Sequence, residues 1–286
     1  MALEFVPATA DHIPRLSVIC HEAFSALHDR CGLERDIPSP EVGGMIIGQT
    51  VQRPDYTGVM AVLDGEVVGS NFLTFADEVA GVGPITVDPK VQSKGIGRAL
   101  MQWVIDEARR REIRQVRLFQ EAINTTSLSL YTALGFDWRD SAVLMQAVPA
   151  GEEDPEIRPI SADDLPAIAE LSRLAYGFSR SGDAAQLIEW QVPGFLKIRD
   201  GKPVAYLFAT LFGHAGAETD EDLLSLAAQA ARHLPPPVAK FICPLARTGL
   251  FRKAMAAGHR TGKVLSYMSL GDYTPPTGAH FPSIQC

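Results

Sequence analysis

The sequence predicts a mixed α/β protein of two tandem copies, each a twisted, mostly antiparallel sheet flanked by helices. Strand-like and helix-like stretches alternate along the chain, and a segment near the start recurs past the midpoint. A length of 286 residues, 46% of them hydrophobic, suits two medium domains.

The first copy reads in order. Leu3–Pro7 is a strand, and Asp11–Leu27 is a helix behind Thr9 with Pro14 in its first turn. Pro40–Gln52 is a second helix. Thr57–Leu63 and Glu66–Phe75 are strands joined by Asp64-Gly65, a hairpin-turn pair. A strand over Val82–Val87, a helix over Gly95–Arg111 and a strand over Gln115–Gln120 follow. A helix over Thr125–Leu134 stops at Gly135, before a closing strand pair from Phe136 onward.

"VPATADHIPRL" at Val6–Leu16 returns as "RPISADDLPAI" at Arg158–Ile168, "LDGEVVGS" at Leu63–Ser70 as "RDGKPVAY" at Arg199–Tyr206, and "TALGF" at Thr132–Phe136 as "MAAGH" at Met255–His259. The offset falls from 152 residues (Pro7 to Pro159) to 136 (Gly65 to Gly201) and 123 (Gly135 to Gly258), so the second copy has lost residues twice. The expected division is residues 1–148, a linker over 149–155, residues 156–272, and an extended tail over 273–286.

A net charge of −8 argues against nucleic acid. Arg109, Arg110 and Arg111 end a helix, where cations complement its dipole. No run reaches the ~20 apolar residues of a membrane span, and "MALEFVPATADH" lacks the pattern of a signal peptide. Cys20, Cys31, Cys243 and Cys286 are far apart without metal-ligand spacing. Reduced thiols, no metal and a cytoplasmic setting are expected.

The stretch "VDPKVQSKGIGRAL" (Val87–Leu100) runs from a strand through a two-glycine loop into a helix that offers bare backbone where a capping side chain normally stands. Exposed helix amides attract anions, and glycines let a large phosphate approach. Gly95 and Gly97 open that approach, Lys94 and Arg98 add positive charge, and Gln92 can donate a hydrogen bond. The loop lacks the Gly-Lys-Ser/Thr of a Walker loop, and Leu100 stands where a dinucleotide fingerprint has its third glycine.

"VDPxxQxxGIGRAL", followed by "NTTSLSLYTALGF" (Asn124–Phe136), strongly resembles the GNAT superfamily of acyl-CoA-dependent N-acyltransferases, over roughly residues 2–148. The resemblance implies that Gln92, Ser93, Lys94, Gly95, Ile96, Gly97 and Arg98 hold the pyrophosphate of acetyl-CoA, the co-substrate. It places Ile85, Thr86 and Val87 along the pantetheine arm as an added strand, and Asn124 and Ser127 beside the coenzyme. Tyr131 would be the general acid protonating the departing thiolate; a neutral phenol suits this. The base glutamate many members carry on the strand before the loop is missing. Glu121, Asp77, Glu78, His21, Glu22 and His28 are polar candidates, and the base stays unassigned.

At the equivalent of the loop, the second copy has Thr219 as a conventional cap with Asp220, Glu221 and Asp222 in the first turn. These carboxylates occupy the amides and repel phosphate. Ala254 stands at the place of Tyr131 and Arg247 at that of Asn124. The second copy is therefore read as degenerate, with an architectural role in completing the acceptor cleft or in forming a homodimer. The tail "GDYTPPTGAHFPSIQC" has three prolines and cannot be a helix. It is either a disordered end or a segment docked along a groove.

The function expected is transfer of an acetyl group from acetyl-CoA to a primary amine of a small molecule by direct attack. The alternatives are a non-catalytic, CoA-responsive sensor or scaffold, and a protein lysine acetyltransferase. The last is disfavoured by the acidity of residues 1–150, with thirteen Lys and Arg against nineteen Asp and Glu.

Overall fold

The computed structural model describes residues 2–92 and 94–285. Ser93, assigned above to the coenzyme loop, and Cys286 at the end of the tail lie outside the described residues, as does Met1.

The first repeat runs β1 (Leu3–Pro7), α1 (Ile13–Cys31), α2 (Pro40–Gln52), β2 (Tyr56–Leu63), β3 (Glu66–Thr74), β4 (Ala80–Val82), β5 (Thr86–Val87), α3 (Ile96–Arg110), β6 (Gln115–Glu121), α4 (Thr125–Ala133) and β7 (Asp137–Gln146). The second runs β8 (Ile157–Pro159), α5 (Leu165–Tyr176), α6 (Ser181–Glu189), β9 (Gly194–Arg199), β10 (Lys202–Phe208), β11 (Ala215–Ala217), α7 (Asp220–His233), β12 (Lys240–Pro244), α8 (Thr248–Ala256), β13 (Arg260–Gly271) and β14 (Ala279–Phe281). From β8 to β13 the order reproduces the first repeat, save that nothing stands for β5. The tail is neither helix nor disordered end: it forms β14.

By contacts the chain divides into two compact units, Met1–Arg117 with Ile123–Phe136, and Leu118–Ala122 with Asp137–Cys286. In the first unit β1, β2, β3 and β4 pair antiparallel in that order, and β4 pairs parallel with the start of β6. Alternation along β2 sends its side chains to opposite faces. Met60, with Phe72 of β3, packs against Leu16, Ile19 and Ile47 of α1 and α2. Val59 and Ala61, with Val68, meet Ile96 and Leu100 of α3. The hairpin turn has positive φ at both Asp64 (50°) and Gly65 (88°), as an Asp-Gly turn between twisted strands requires. Asp200 and Gly201 repeat it at 52° and 74°.

The strand expected over Val82–Val87 is broken. β4 pairs with β3 and β6, the chain passes a cis Gly83-Pro84 bond, and β5 rejoins β3 at Gly69↔Val87 and Ser70↔Thr86. Proline has no N–H to donate to a ladder, so Pro84 marks the break.

The second unit gathers the closing strands of both repeats. β7 lies between β12 and β13, pairing antiparallel with each. The sheet β14-β11-β10-β9-β8 completes it. Helix α7 covers β9, β10 and β11 through Leu223, Leu226, Ala227 and Ala230, which pack with Phe195, Ala205 and Leu207.

Candidate active site

In the first unit α3 begins as the sequence suggests, with a bare end. Its N-cap is Gly95, at φ 81°, where an L side chain would be strained, and no side chain caps it. No acid stands in the first turn. A Cβ on Gly95 would meet nothing within 4 Å; one on Gly97 would meet only Leu130 at 3.7 Å and Val87 at 3.9 Å. Lys94 and Arg98 are exposed, and among the described residues neither is paired with an acid.

The approach to this helix is held by its own polar contacts. Asp88 accepts from the Lys90 backbone N–H at 3.0 Å and from Arg15 Nη2 at 2.8 Å. Burial opposes ionisation of Asp88, yet these two donors overcome it and keep the carboxyl below the usual range. The Gln92 amide donates to the Val87 carbonyl at 3.1 Å, so its side chain is turned back onto β5. Thr86 is buried, and among the described residues β5 pairs with β3 alone, leaving its other edge without a strand.

Helix α4 supplies the phenol. The Asn124 side chain caps it by accepting from the Ser127 backbone N–H at 3.1 Å. One turn on, Tyr131 is 5% exposed, is hydrogen-bonded to the Ser127 side chain and lies 6.2 Å from the Phe136 ring. Burial pushes its phenol up to about 12, with the Ser127 contact acting against the rise. The structure thus gives Asn124 and Ser127 local duties, as cap and as phenol partner, that the sequence did not reveal. Leu130, the residue before Tyr131, packs over Gly97.

The base candidates disperse. His21 Nδ1 lies 2.7 Å from the Ile37 carbonyl and so donates to it. His28 is buried and its Nδ1 accepts from the Asp36 backbone N–H at 3.2 Å. Both histidines pin the loop that leads to α2. Glu121 is buried against Lys263 at 2.7 Å, and burial takes the Lys263 ammonium down to about 8. Glu78 is exposed, and Glu22 and Asp77 are half-buried. The buried thiols offer no nucleophile in their place: burial pushes Cys20 and Cys243 up to about 12. Among the described residues no cysteine is bridged.

The corresponding helix of the second repeat is closed. Thr219 Oγ1 caps α7 by accepting from the Asp222 N–H at 3.1 Å. Asp222, 2% exposed, is bonded by Thr219, by Arg199 and by Lys197 at 3.5 Å. Asp220 is held by Arg247 at 2.8 Å and Lys253 at 3.3 Å. The second repeat also buries a polar network on its other side. Tyr206 Oη lies 2.8 Å from His214 Nδ1, and Asp183 Oδ2 lies 2.9 Å from Arg180 Nη2 and 3.6 Å from His214 Nε2.

Two sheets flanked by helices, with a glycine-opened helix end in one repeat and a closed one in the other, define a duplicated acyltransferase-type fold. Residues 21–136 match the acetyltransferase (GNAT) family. It is similar to the [ribosomal protein bS18]-alanine N-acetyltransferase of Escherichia coli K12, 42% identical over 53 residues, which are 18% of this chain and 36% of that protein. It is similar to the mycothiol acetyltransferase of Beutenbergia cavernae, 35% identical over 74 residues, 26% of this chain and 25% of that protein. The chain thus spans about a third and a quarter of these relatives' lengths. A tandem GNAT protein from the clavulanic acid biosynthesis pathway has the same fold, with a TM-score of 0.61 at 15% identity over 94% of this chain and 98% of that one. No helix among the described residues is long and apolar enough to cross a membrane.

Proposed function

We propose that the first repeat is an acetyl-CoA-dependent N-acetyltransferase and that its acceptor is a primary amine of a small molecule. The observation that carries this reading is the open end of α3, acid-free and flanked by Lys94 and Arg98, neither paired with an acid among the described residues. The amides from Gly95 to Arg98 would hold the pyrophosphate, as helix ends hold anions. The free edge of β5, with Ile85 just before it, would take the pantetheine arm as an added strand along Ile85, Thr86 and Val87. Acetyl-CoA, the family's acyl donor, supplies a thioester carbonyl that the amine attacks directly.

Tyr131 would serve the departing sulfur. With its phenol at about 12, it is neutral at every working pH. Handing its proton completely to a thiolate of ordinary basicity, ~8.5, runs uphill by several pKa units. Its contribution is therefore a hydrogen bond that strengthens as negative charge grows on sulfur, with transfer late. Ser127 orients the phenol for this. The amine arrives neutral or loses its proton to water, since no buried free carboxylate stands among the described residues of the first unit.

A protein acceptor is the second reading, because the curated relatives include an enzyme named for an alanine of a ribosomal protein. Thiol release from acetyl-CoA, measured against small amines, alanine-terminated peptides and lysine peptides, separates the two. Small amines are expected to turn over fastest. Tyr131→Phe is expected to lower kcat about 100-fold with little change in KM for acetyl-CoA. Tight coenzyme binding with no thiol release from any acceptor would replace the enzyme with a sensor. An unchanged kcat in Tyr131→Phe would remove the acid.

A further inference from the structure

The tail of the second repeat sits where the first repeat has no counterpart. In the first repeat β4 pairs directly with β6, through Ala80↔Val116 and Gly81↔Arg117. In the second repeat the equivalent strands, β11 and β12, are not paired with each other. β14 stands between them, antiparallel to β11 through Ala215↔Phe281, Gly216↔His280 and Ala217↔Ala279. It meets β12 through side chains, the Phe281 and Phe241 rings stacking at 4.2 Å.

The contacts that hold the segment are specific and buried. Gly278 donates its N–H to the Ala175 carbonyl at 3.1 Å, and a Cβ there would come within 2.7 Å of the Ala175 backbone. The His280 ring lies 4.9 Å from that of Tyr176. Tyr176 Oη is 2.7 Å from the Phe281 carbonyl and 2.8 Å from that of Ala215, so one proton is shared between tail and strand. Ser283 Oγ donates to the Phe212 carbonyl at 3.1 Å. Phe281 and Ser283 are each 1% exposed, whereas Asp272, Thr274 and Pro275, which lead into the segment, are exposed. A buried extended segment reached through an exposed connector has the form of a peptide laid into a strand slot.

We propose that the second repeat is a peptide-binding module whose slot between β11 and β12 takes an extended Gly-Ala-His-Phe-Pro-Ser segment, and that Gly278–Ser283 are its resident ligand. Backbone pairing with β11 gives affinity. The close wall at Ala175, the Tyr176 ring and hydroxyl, and Phe241 give the preference for glycine, histidine and phenylalanine in that spacing.

The test uses the folded full-length chain with a protease site inserted between Thr274 and Pro275. Because cleavage follows folding, failure to fold is not an outcome. After cleavage a fluorescent peptide of residues 275–285 is expected to exchange into the slot, saturating at one per chain. The same peptide with Phe281→Ala is expected to bind at least about tenfold more weakly. Uncut protein is expected to take up none, and excess acetyl-CoA to displace none. A cleaved tail that never exchanges without global unfolding would overturn the proposal. So would a scrambled peptide that binds equally well, or displacement by acetyl-CoA.

Discussion

Helices α3 and α7 occupy the same place in two copies of one plan, and their first turns have been put to opposite uses. Each presents the unpaired amides and positive dipole end of any helix. On α7 that potential is consumed within the chain: Thr219 caps, Asp222 takes Thr219, Arg199 and Lys197, and Asp220 takes Arg247 and Lys253. On α3 Gly95 leaves it open, with two cations beside it that are unpaired among the described residues. The stabilised end has nothing left to offer a ligand, and the open end lacks a capping bond worth ~1 kcal/mol. An unmet local need of this kind, in an otherwise well-packed unit, is what makes the α3 end the candidate site.

The strongest way to break the contrast is to move the second repeat's solution into the first. Gly97→Asp places a carboxylate in the first turn of α3, where the new Cβ meets only Leu130 and Val87 at ordinary contact distance. Folding is expected to be kept or slightly improved, by up to about 1 kcal/mol, from the dipole and the loss of a helical glycine. Acetyl-CoA affinity is expected to fall at least about 100-fold through repulsion and occupied amides. Calorimetry and a melting curve on the same sample check both. Retained affinity would show that the helix end is not the phosphate site.

Much of this contrast is legible in the amino-acid sequence. The Thr219 cap with three acids and the bare Gly95 turn are local patterns, and local patterns survive into the fold because they act within one helical turn. The Asp-Gly hairpins were readable for the same reason. What escaped depends on long-range partners. Nothing near Pro84 says that the strand breaks and β5 rejoins β3 at Gly69. The alternation of β7 does not say that it pairs with β12 and β13. Ser127 is written on a helix face, and its bond to Tyr131 shows only once rotamers are fixed. The three prolines of the tail exclude a helix, but β14 depends on a slot built by residues far earlier in the chain, from Ala175 through Ala215 to Phe241.

A second contrast lies at the entry to each repeat. Position 12 of the first repeat corresponds to position 164 of the second: His12 lies 2.7 Å from Thr9 Oγ1, whereas Asp164 closes a capping box with Ser161 and binds Arg158 at 2.7 Å. The Arg158 guanidinium, first, and the Ser161 donors hold the Asp164 carboxyl down at about 2 against its burial. The folded value lies below the unfolded one of ~3.9, so its contribution is complete above roughly pH 5. It is lost as pH falls toward 2 and amounts to about 2 kcal/mol. Asp164→Asn is therefore expected to destabilise the protein at pH 7 by about that much and to leave it little changed near pH 2. Denaturant melts at the two pH values check it. Equal destabilisation at both would mean that the cap acts through geometry rather than charge.

The smallest expected effect sharpens how the open helix end works. Lys94 and Arg98 are exposed, so their attraction for a phosphate is exerted through water and is worth roughly 1 kcal/mol or less each. Arg98→Gln is expected to weaken acetyl-CoA binding about fivefold at low salt and hardly at all near 1 M, where the screening length is ~3 Å. Catalytic turnover at saturation should not change. In the second repeat Lys253→Gln, which frees Asp220 of one partner, should leave coenzyme binding untouched at any salt. A loss at Arg98 that matched the Gly97→Asp loss and resisted salt would assign the grip to the cation. Fixed backbone amides and a mobile cation differ in this respect: the amides are aimed before the ligand arrives and are little screened, whereas the side chain must be ordered first.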